Sequence, residues 1–209
     1  MGLFHTVRQG DHLSRIASKH GFRSYLTIWD DPGNAALRQL RADPHVLLPG
    51  DVVFIPDKEP RVEPGATGAR HVFRTRSPRL RLRIAVLDHS HAPVAGAAGE
   101  LEVGGDARAV TTDGGGLAGR EIAPDADFGR LALDAEEPLE LRIGHLDPVE
   151  ALSGLQARLN NLGYRAGFDP EPTEALRSAI EELQCDLGLP VTGVADAATR
   201  ARLLEVHGC

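Results

Sequence analysis

The stretch LQARLNNLGY at residues 155–164 decides the fold of the last part of the chain. Leucines recur within it and just before it at intervals of three or four residues: Leu152, Leu155, Leu159 and Leu162. This spacing places the leucines on one face of an amphipathic helix. Gly163 is typical of the residue at which a helix ends. The sequence therefore predicts a helix that ends at Gly163.

Two further helices are predicted downstream, at about 173–187 and 196–206. The first follows Pro172, a residue that suits a helix start, and it stops at Gly188. The second begins at Asp196, whose carboxylate can cap the first turn. Apolar residues are predicted to face the core from both helices: Leu176, Ile180, Leu183, Leu203 and Val206. Three helices joined by short loops form a small module.

Residues 147–209 resemble the peptidoglycan-binding-domain family. The resemblance is carried by 155–164 and by 179–200, which includes GLPVTGVAD between the second and third helices. Leu183 departs from the family pattern, because the family usually has an aromatic residue before the glutamine. The position is expected in the core, so leucine there preserves the fold. The resemblance implies contact with the cell wall through four residues: Asn161, Tyr164, Gln184 and Arg200. Helix packing and loop structure would explain the same residues.

The opening stretch HTVRQGDHLSRIA at 5–17 combines a short strand, a Gly-Asp turn and the start of a helix. Three of its apolar residues have helical spacing: Leu13, Ile16 and Ala17. A second helix is predicted at 34–41 with Leu37 and Leu40 turned inward. VVFI at 52–55 reads as a strand that pairs antiparallel with the first. The predicted order is β-α-α-β.

Residues 5–17 and the stretch LPGDVVFIP at 48–56 resemble the two ends of LysM domains. His5 departs from the common aromatic residue, and the middle around Trp29 is longer than usual. LysM domains bind glycans containing N-acetylglucosamine between two loops, which by resemblance contain these residues: Gly10, Asp11, His12, Leu13, Leu48, Pro49, Gly50 and Asp51. Turn geometry alone would also explain the two glycines, and such a module can also serve only for docking.

The middle of the chain reads as short strands separated by turns. The strands are predicted at 79–87, 99–103, 107–112, 117–122, 129–134 and 139–143. Turn signals recur about every 8–12 residues, which predicts a small antiparallel β-sandwich. The pattern around Val86, Pro93 and Asp113 resembles transthyretin-like and carboxypeptidase-regulatory domains, which are spacers or adaptors.

Arginine is dense before and within the first of these strands, as in RLRLRI at 79–84. A docking patch for an anionic partner, namely membrane, nucleic acid or teichoic acid, is one interpretation. Strict alternation of arginine with apolar residues favours the exposed face of a half-buried strand. Charges there also protect the strand from unwanted pairing.

The predicted fold class is a multi-domain α+β chain. Residues 1–57 form the βααβ LysM-like module, and 58–78 form a Pro/Gly-rich linker. Residues 79–146 form the transthyretin-like β-sandwich, and 147–209 form the three-helix, peptidoglycan-binding-like module.

Composition excludes several classes of partner. The 209 residues carry a formal net charge of −7, whereas nucleic acid selects basic surfaces. No apolar run is long enough to cross a membrane, and no export signal is visible, so we expect synthesis in the cytoplasm. Cys185 and Cys209 can stay reduced, or form a disulfide after delivery into an oxidising compartment.

No catalytic residues, metal or cofactor are expected. His89 and His91 could chelate a metal, but a turn after a strand explains them and no further ligands have suitable spacing. Cys209 follows His207 closely, but no third group or pocket is implied around them. Three small modules use the whole chain, so we expect a protein that is not an enzyme.

The order of the modules resembles accessory proteins of type VI secretion systems, which associate with the spike of the injection machine. The resemblance implies an adaptor that binds the wall and a spike protein or effector. Delivery by such a system to the periplasm or outside the cell would need no export signal. Two alternatives stay open: a structural protein of a phage-like baseplate, and an inhibitor of a wall-degrading effector.

Overall fold

A computed structural model describes residues 2–58, 64–72, 79–133 and 137–208. The fold is mixed α+β with small antiparallel sheets and a helical C-terminal region. Three clusters of buried apolar side chains follow one another, within 7–55, 80–143 and 149–204. Each cluster lies within one predicted module. Among the described residues, the helices are too short or too polar to cross a membrane.

The N-terminal unit packs three short helices against a two-stranded sheet. Its elements are β1 (Leu3–Thr6), α1 (Leu13–Lys19), α2 (Leu26–Trp29), a 3-10 turn (Pro32–Asn34), α3 (Ala35–Leu40) and β2 (Val52–Ile55). The predicted antiparallel pairing of the strands is confirmed, with Phe4 opposite Phe54. Leu13, Ile16 and Val53 are fully buried between helices and sheet.

Two details of this unit differ from the prediction. The helix α2 was not predicted, because its four residues are too few to show a helical period. The prediction that Leu40 faces the core is wrong, since 63% of Leu40 is exposed. Leu40 is the last residue of α3, and Arg41 is already extended. Only Leu37 of this short helix is buried.

Six strands lie in the described part of the middle unit, all at predicted positions. They are β3 (Leu80–Ala85), β4 (Ala98–Val103), β5 (Asp106–Thr111), β6 (Leu117–Ile122), β7 (Phe128–Leu133) and β8 (Leu139–Arg142). Strands β3 and β6 pair in one sheet, and the order in the other is β5-β4-β7-β8. Apolar residues from both sheets share one core, which includes Leu82, Leu101 and Ile122.

The exposure of β3 confirms the interpretation of its arginines. Arg81 and Arg83 are exposed, whereas the side chains that alternate with them, Leu82 and Ile84, pack against the core of the middle unit. The arginines at 74 and 76 lie outside the described residues. The charges of β3 therefore lie on the outer face of a half-buried strand.

The C-terminal unit contains the three predicted helices, α4 (Leu152–Asn161), α5 (Glu174–Asp186) and α6 (Ala197–His207). The predicted cap of α6 is confirmed, because the carboxylate of Asp196 accepts the N–H of Thr199 at 2.8 Å. Leu203 is fully buried, but the prediction for Val206 is wrong, since 37% of it is exposed. Val206 lies in the last turn of α6, where the chain ends its contact with the core.

A buried arginine holds the start of this unit against α4. Arg158 is 1% exposed. Its guanidinium donates to the carbonyl oxygens of Asp147 and Gly154 at 2.8 and 2.9 Å. The segment before α4 is therefore part of the helical unit.

Candidate functional site

Gln184 lies inside the helical unit, where it holds the loop between α5 and α6. Its side-chain oxygen accepts the N–H groups of Thr192 and Gly193 at 2.8 and 3.0 Å. Its side-chain nitrogen donates to the carbonyl oxygen of Val194 and to the hydroxyl of Thr199, both at 3.0 Å. The residue is 1% exposed. This corrects the expectation that Gln184 contacts the wall, because both ends of its amide are engaged within the unit.

Tyr164 is also buried, with 6% of its surface exposed. Its hydroxyl donates to Asp186 on α5 at 2.9 Å. Burial raises the pKa of the phenol, and the hydrogen bond to Asp186 acts in the same direction. Its ring lies 5.4 Å from that of His91 in the middle unit. Tyr164 therefore joins the end of α4 to α5, which corrects the expectation of wall contact.

The other two predicted contact residues keep accessible surface. Asn161 is exposed at the end of α4, and its amide nitrogen lies 3.0 Å from the ring nitrogen of His207. Arg200 is half-buried on α6. These two side chains can reach a ligand, but the structure does not bring all four predicted residues together on one surface.

A residue that the sequence did not single out is prominent on this unit. Phe168, in the loop between α4 and α5, is 81% exposed. The backbone on both sides of it is fixed: Asn160 donates to the carbonyl oxygen of Gly167 at 2.8 Å, and Gln156 donates to that of Asp169 at 3.1 Å. The only sequence signal is a phenylalanine within a Gly/Pro-containing loop. Such a residue is usually buried.

Comparison with known proteins identifies this unit. Residues 149–203 match the model of the family described as "Putative peptidoglycan binding domain". These residues form a peptidoglycan-binding domain. The match covers all of α4 and α5 and most of α6. No curated protein and no solved structure matches the chain.

The first loop of the N-terminal unit is engaged in its own fold. Leu13 is fully buried, and the Asp11 carboxylate accepts the N–H of Arg8 at 3.0 Å and pairs with His5 at 2.9 Å. Burial alone would raise the pKa of Asp11, but these hydrogen bonds outweigh it and keep that pKa low. His12 caps α1, since its ring nitrogen accepts the N–H of Arg15 at 3.4 Å.

The same loop packs against the end of the middle unit, at a contact that we call the junction: Gln9, Gly10, His12, Arg15, Asp127, Gly144, His145 and Asp147. Arg15 donates to Asp127 at 2.8 Å, and the His145 ring lies 3.0 Å from the same carboxylate oxygen. Gln9 donates to the carbonyl oxygen of His145 at 3.2 Å. The first loop is thus covered by the connection between the middle unit and the peptidoglycan-binding domain.

Burial corrects the expectation for three of the eight residues predicted to bind a glycan. Gly10 is buried and His12 is only 5% exposed, so neither can contact a glycan while the junction is closed. Neither can Leu13, which lies in the core. The first loop is a docking surface in this structure.

The second loop is more open. Pro49 and Gly50 are exposed, and Leu48 is half-buried. Asp51 is tied to Arg41 by two hydrogen bonds of 2.8 and 2.9 Å. Burial alone would raise the pKa of Asp51, but the bonds from Arg41 and from the N–H of Leu48 hold it below its usual range. Asp51 fixes the loop, and only its tip can reach a ligand.

Gly144 allows the closest approach at the junction. It has φ +78°, and a Cβ there would lie 2.7 Å from Cδ2 of His12 and 3.0 Å from the carbonyl oxygen of Gly10. We expect Gly144→Ala to destabilise the chain by about 2 kcal/mol, from backbone strain and crowding. Urea unfolding measures the loss, and limited proteolysis around residue 144 detects opening of the junction.

Gly96→Ala is the matched control, because Gly96 has φ +75° and no heavy atom within 4 Å of an added Cβ. The Gly96→Ala substitution introduces the backbone strain without the crowding, so the free energy of unfolding should fall by about 1 kcal/mol. Equal losses in the two variants, with no change in proteolysis, would contradict a close contact at the junction.

His12 makes the N-terminal unit sensitive to acid. Burial lowers the pKa of His12 to about 4, and the charges of His45 and Arg15 act in the same direction. In the unfolded chain the imidazole of His12 has its ordinary pKa near 6.5. The unfolded chain therefore takes up a proton before the folded chain does as the pH falls. The contribution of neutral His12 to the free energy of unfolding is therefore fully present above about pH 6.5. It falls by about 2–3 kcal/mol as the pH is lowered towards 4.

Urea unfolding followed by the fluorescence of Trp29, the single tryptophan, measures this loss at pH 7 and pH 4. His12→Asn is the matched control, since asparagine can cap a helix but does not titrate. The variant should lose less stability over the same interval. An unchanged pH dependence in the variant would assign the effect to other groups.

The remaining predicted residues give no further site. Cys185 is exposed on α5, but Cys209 lies outside the described residues, so their pairing stays untested. The Nε2 atom of His91 lies 3.0 Å from the carbonyl oxygen of Leu162, so this histidine serves the packing of the middle unit against the C-terminal unit. Among the described residues, no three potential ligands are placed to hold a metal ion.

A cleft of about 780 Å³ lies at one end of the middle unit, around the turn between β4 and β5. Two of its charged groups, Arg120 and Asp106, bind each other. Arg120 donates to the carbonyl oxygens of Leu101 and Asp106 at 3.1 and 2.6 Å, and to the Asp106 carboxylate at 2.5 Å. These hydrogen bonds give Arg120 and Asp106 a structural role, which accounts for their presence in the cleft.

Proposed function

We propose that this chain is a cell-wall-binding adaptor without catalytic activity, which binds peptidoglycan through residues 149–203. The family match over those residues carries the proposal. It is supported by the complete three-helix core, in which Gln184 and Arg158 hold the connecting segments in place. A rigid surface suits binding, because little ordering cost is added when a ligand arrives.

The absence of catalysis is part of the proposal. Each unit fills its interior with its own apolar side chains. The half-buried histidine-carboxylate pair of the N-terminal unit, His5 and Asp11, stabilises a turn beside α1. Incubation of purified sacculi with the chain should release no soluble muropeptides or new reducing ends. Release above the level of a buffer control would contradict this part.

Binding itself is tested by co-sedimentation of the intact chain with purified sacculi. The chain should pellet with sacculi in a saturable manner and stay in the supernatant without them. A chain that stays soluble at all sacculus concentrations would contradict the proposal.

The covered first loop favours docking as the role of the N-terminal unit. In that role the unit contacts the middle unit through Arg15 and Asp127 and leaves the wall to the C-terminal domain. Glycan binding through the first loop of this unit would need the junction to open.

Association with a type VI secretion spike or its effector is the finer form of the proposal. It rests on the order of the three units and includes delivery to the periplasm or outside the cell. Capture of a spike or effector protein by the chain from secreting cells would support it. Co-assembly into a baseplate, or tight binding to one wall-degrading effector, would favour the alternatives.

A further inference from the structure

Phe168 is the most exposed large apolar side chain among the described residues, with 81% of its surface accessible. Aromatic residues make up only 4% of the sequence. A phenyl ring left in water forgoes the stabilisation that burial of its apolar surface would give. The exposed ring therefore adds little to the stability of the domain and is free to contact a ligand.

The loop that carries the ring is held firmly. Asn160 binds it twice, since its side-chain oxygen accepts the N–H of Ala166 at 2.9 Å and its nitrogen donates to the carbonyl oxygen of Gly167 at 2.8 Å. Gln156, which is 2% exposed, donates to the carbonyl oxygen of Asp169. The backbone is fixed on both sides of Phe168, so the ring is presented without a large loss of loop entropy on binding.

The surroundings of the ring indicate the class of ligand. The charged residues nearest in sequence, Arg165, Asp169 and Glu171, are all exposed. One aromatic ring buries about 150–250 Å², whereas a stable protein interface needs about 800 Å² from each partner. A single ring among polar groups suits a ligand that is polar at its edge and apolar on one face. A pyranose ring has this character, because its axial C–H groups form an apolar face between hydroxyl and amide groups.

We propose that Phe168 is the aromatic platform on which the peptidoglycan-binding domain stacks an N-acetylated pyranose of the glycan strand. This inference rests on the proposed function of residues 149–203. It names the ligand as the glycan rather than the stem peptide, and it assigns the contact to the loop between α4 and α5.

The test compares variants of the intact chain in sacculus co-sedimentation. Phe168→Ala and Phe168→Leu should each weaken binding by about fivefold or more, since a hot-spot truncation costs over about 1 kcal/mol. Phe168→Trp should keep or improve binding, because it keeps a flat aromatic face. The matched control is Phe4→Ala, which removes another exposed ring, 69% accessible, from the N-terminal unit. It should bind as the unchanged chain does.

The outcomes separate this inference from the proposed function. If the unchanged chain does not bind, the proposed function fails. If it binds and Phe168→Ala binds equally well, the platform is overturned while wall binding stands. Full binding by Phe168→Leu would show that apolar contact is enough without stacking, and would overturn the inference. Equal losses of sacculus binding in Phe168→Ala and Phe4→Ala would also overturn it. The Phe168 variants should show the thermal melting curve of the unchanged chain, since the Phe168 ring is exposed. Phe4→Ala also loses a ring contact with Phe54, at 5.4 Å between centroids, so it is compared at a temperature at which it is fully folded.

Discussion

Replacing Gln184 by alanine is expected to lower the free energy of unfolding of the peptidoglycan-binding domain by about 3–5 kcal/mol. The amide is 1% exposed. Its loss leaves the N–H groups of Thr192 and Gly193 and the carbonyl oxygen of Val194 without the partner they now have. Each hydrogen bond of the amide contributes about 1 kcal/mol, and the cavity left by its buried side chain adds to the loss. A marginally stable domain would be largely unfolded by such a change.

Urea unfolding of the intact chain, followed by far-ultraviolet circular dichroism, measures the effect through the α-helices. The control is Cys185→Ala, measured like the other variants with a reductant present; it changes the residue after Gln184, which is exposed on α5. It should alter stability by less than about 0.5 kcal/mol. A Gln184→Ala chain as stable as this control would show that the amide does not hold the loop.

Replacing Asn34 by alanine should destabilise the N-terminal unit by about 3–4 kcal/mol. Asn34 is 1% exposed. Its side chain accepts the N–H of Phe54 at 2.8 Å and donates to the carbonyl oxygens of Phe54 and Ile28, both at 2.7 Å. The amide thus pairs with the backbone of β2 as a neighbouring strand would. Alanine leaves those backbone groups without a side-chain partner.

Fluorescence of Trp29 during urea unfolding reports on this unit. Gln39→Ala is the control, since Gln39 is exposed on α3 and its truncation should have little effect. If Asn34→Ala and Gln39→Ala unfold at the same urea concentration, the role assigned to Asn34 is contradicted.

The sequence predicts the elements well where the signals are local. Apolar spacing and a carboxylate at Asp196 are enough for α6, because capping and helical periodicity involve neighbours within one turn. Alternation in 79–84 is likewise enough for β3. The short helix α2 has too few residues for any period, and the exposure of Leu40 and Val206 depends on where their helices end against the core.

The candidate site is predicted less well, because burial depends on distant residues. Gln184 and Tyr164 have the chemistry of ligand contacts, but the same groups serve to hold loops and helices. The first loop of the N-terminal unit is covered by His145, 136 residues from Gln9 along the chain, and no local pattern indicates such a contact. Phe168 was missed for the converse reason, since phenylalanine is usually buried.

Sacculus binding by the unchanged chain, Asn34→Ala and Gln184→Ala tests the central claim most directly. Each variant is compared with the unchanged chain at a urea concentration that unfolds only the unit carrying the substitution. Because residues 149–203 are proposed to carry the binding, the unchanged chain and Asn34→Ala should pellet with sacculi, and Gln184→Ala should stay in the supernatant. Retention of binding by Gln184→Ala, with loss by Asn34→Ala, would contradict the account and assign the wall to the N-terminal unit.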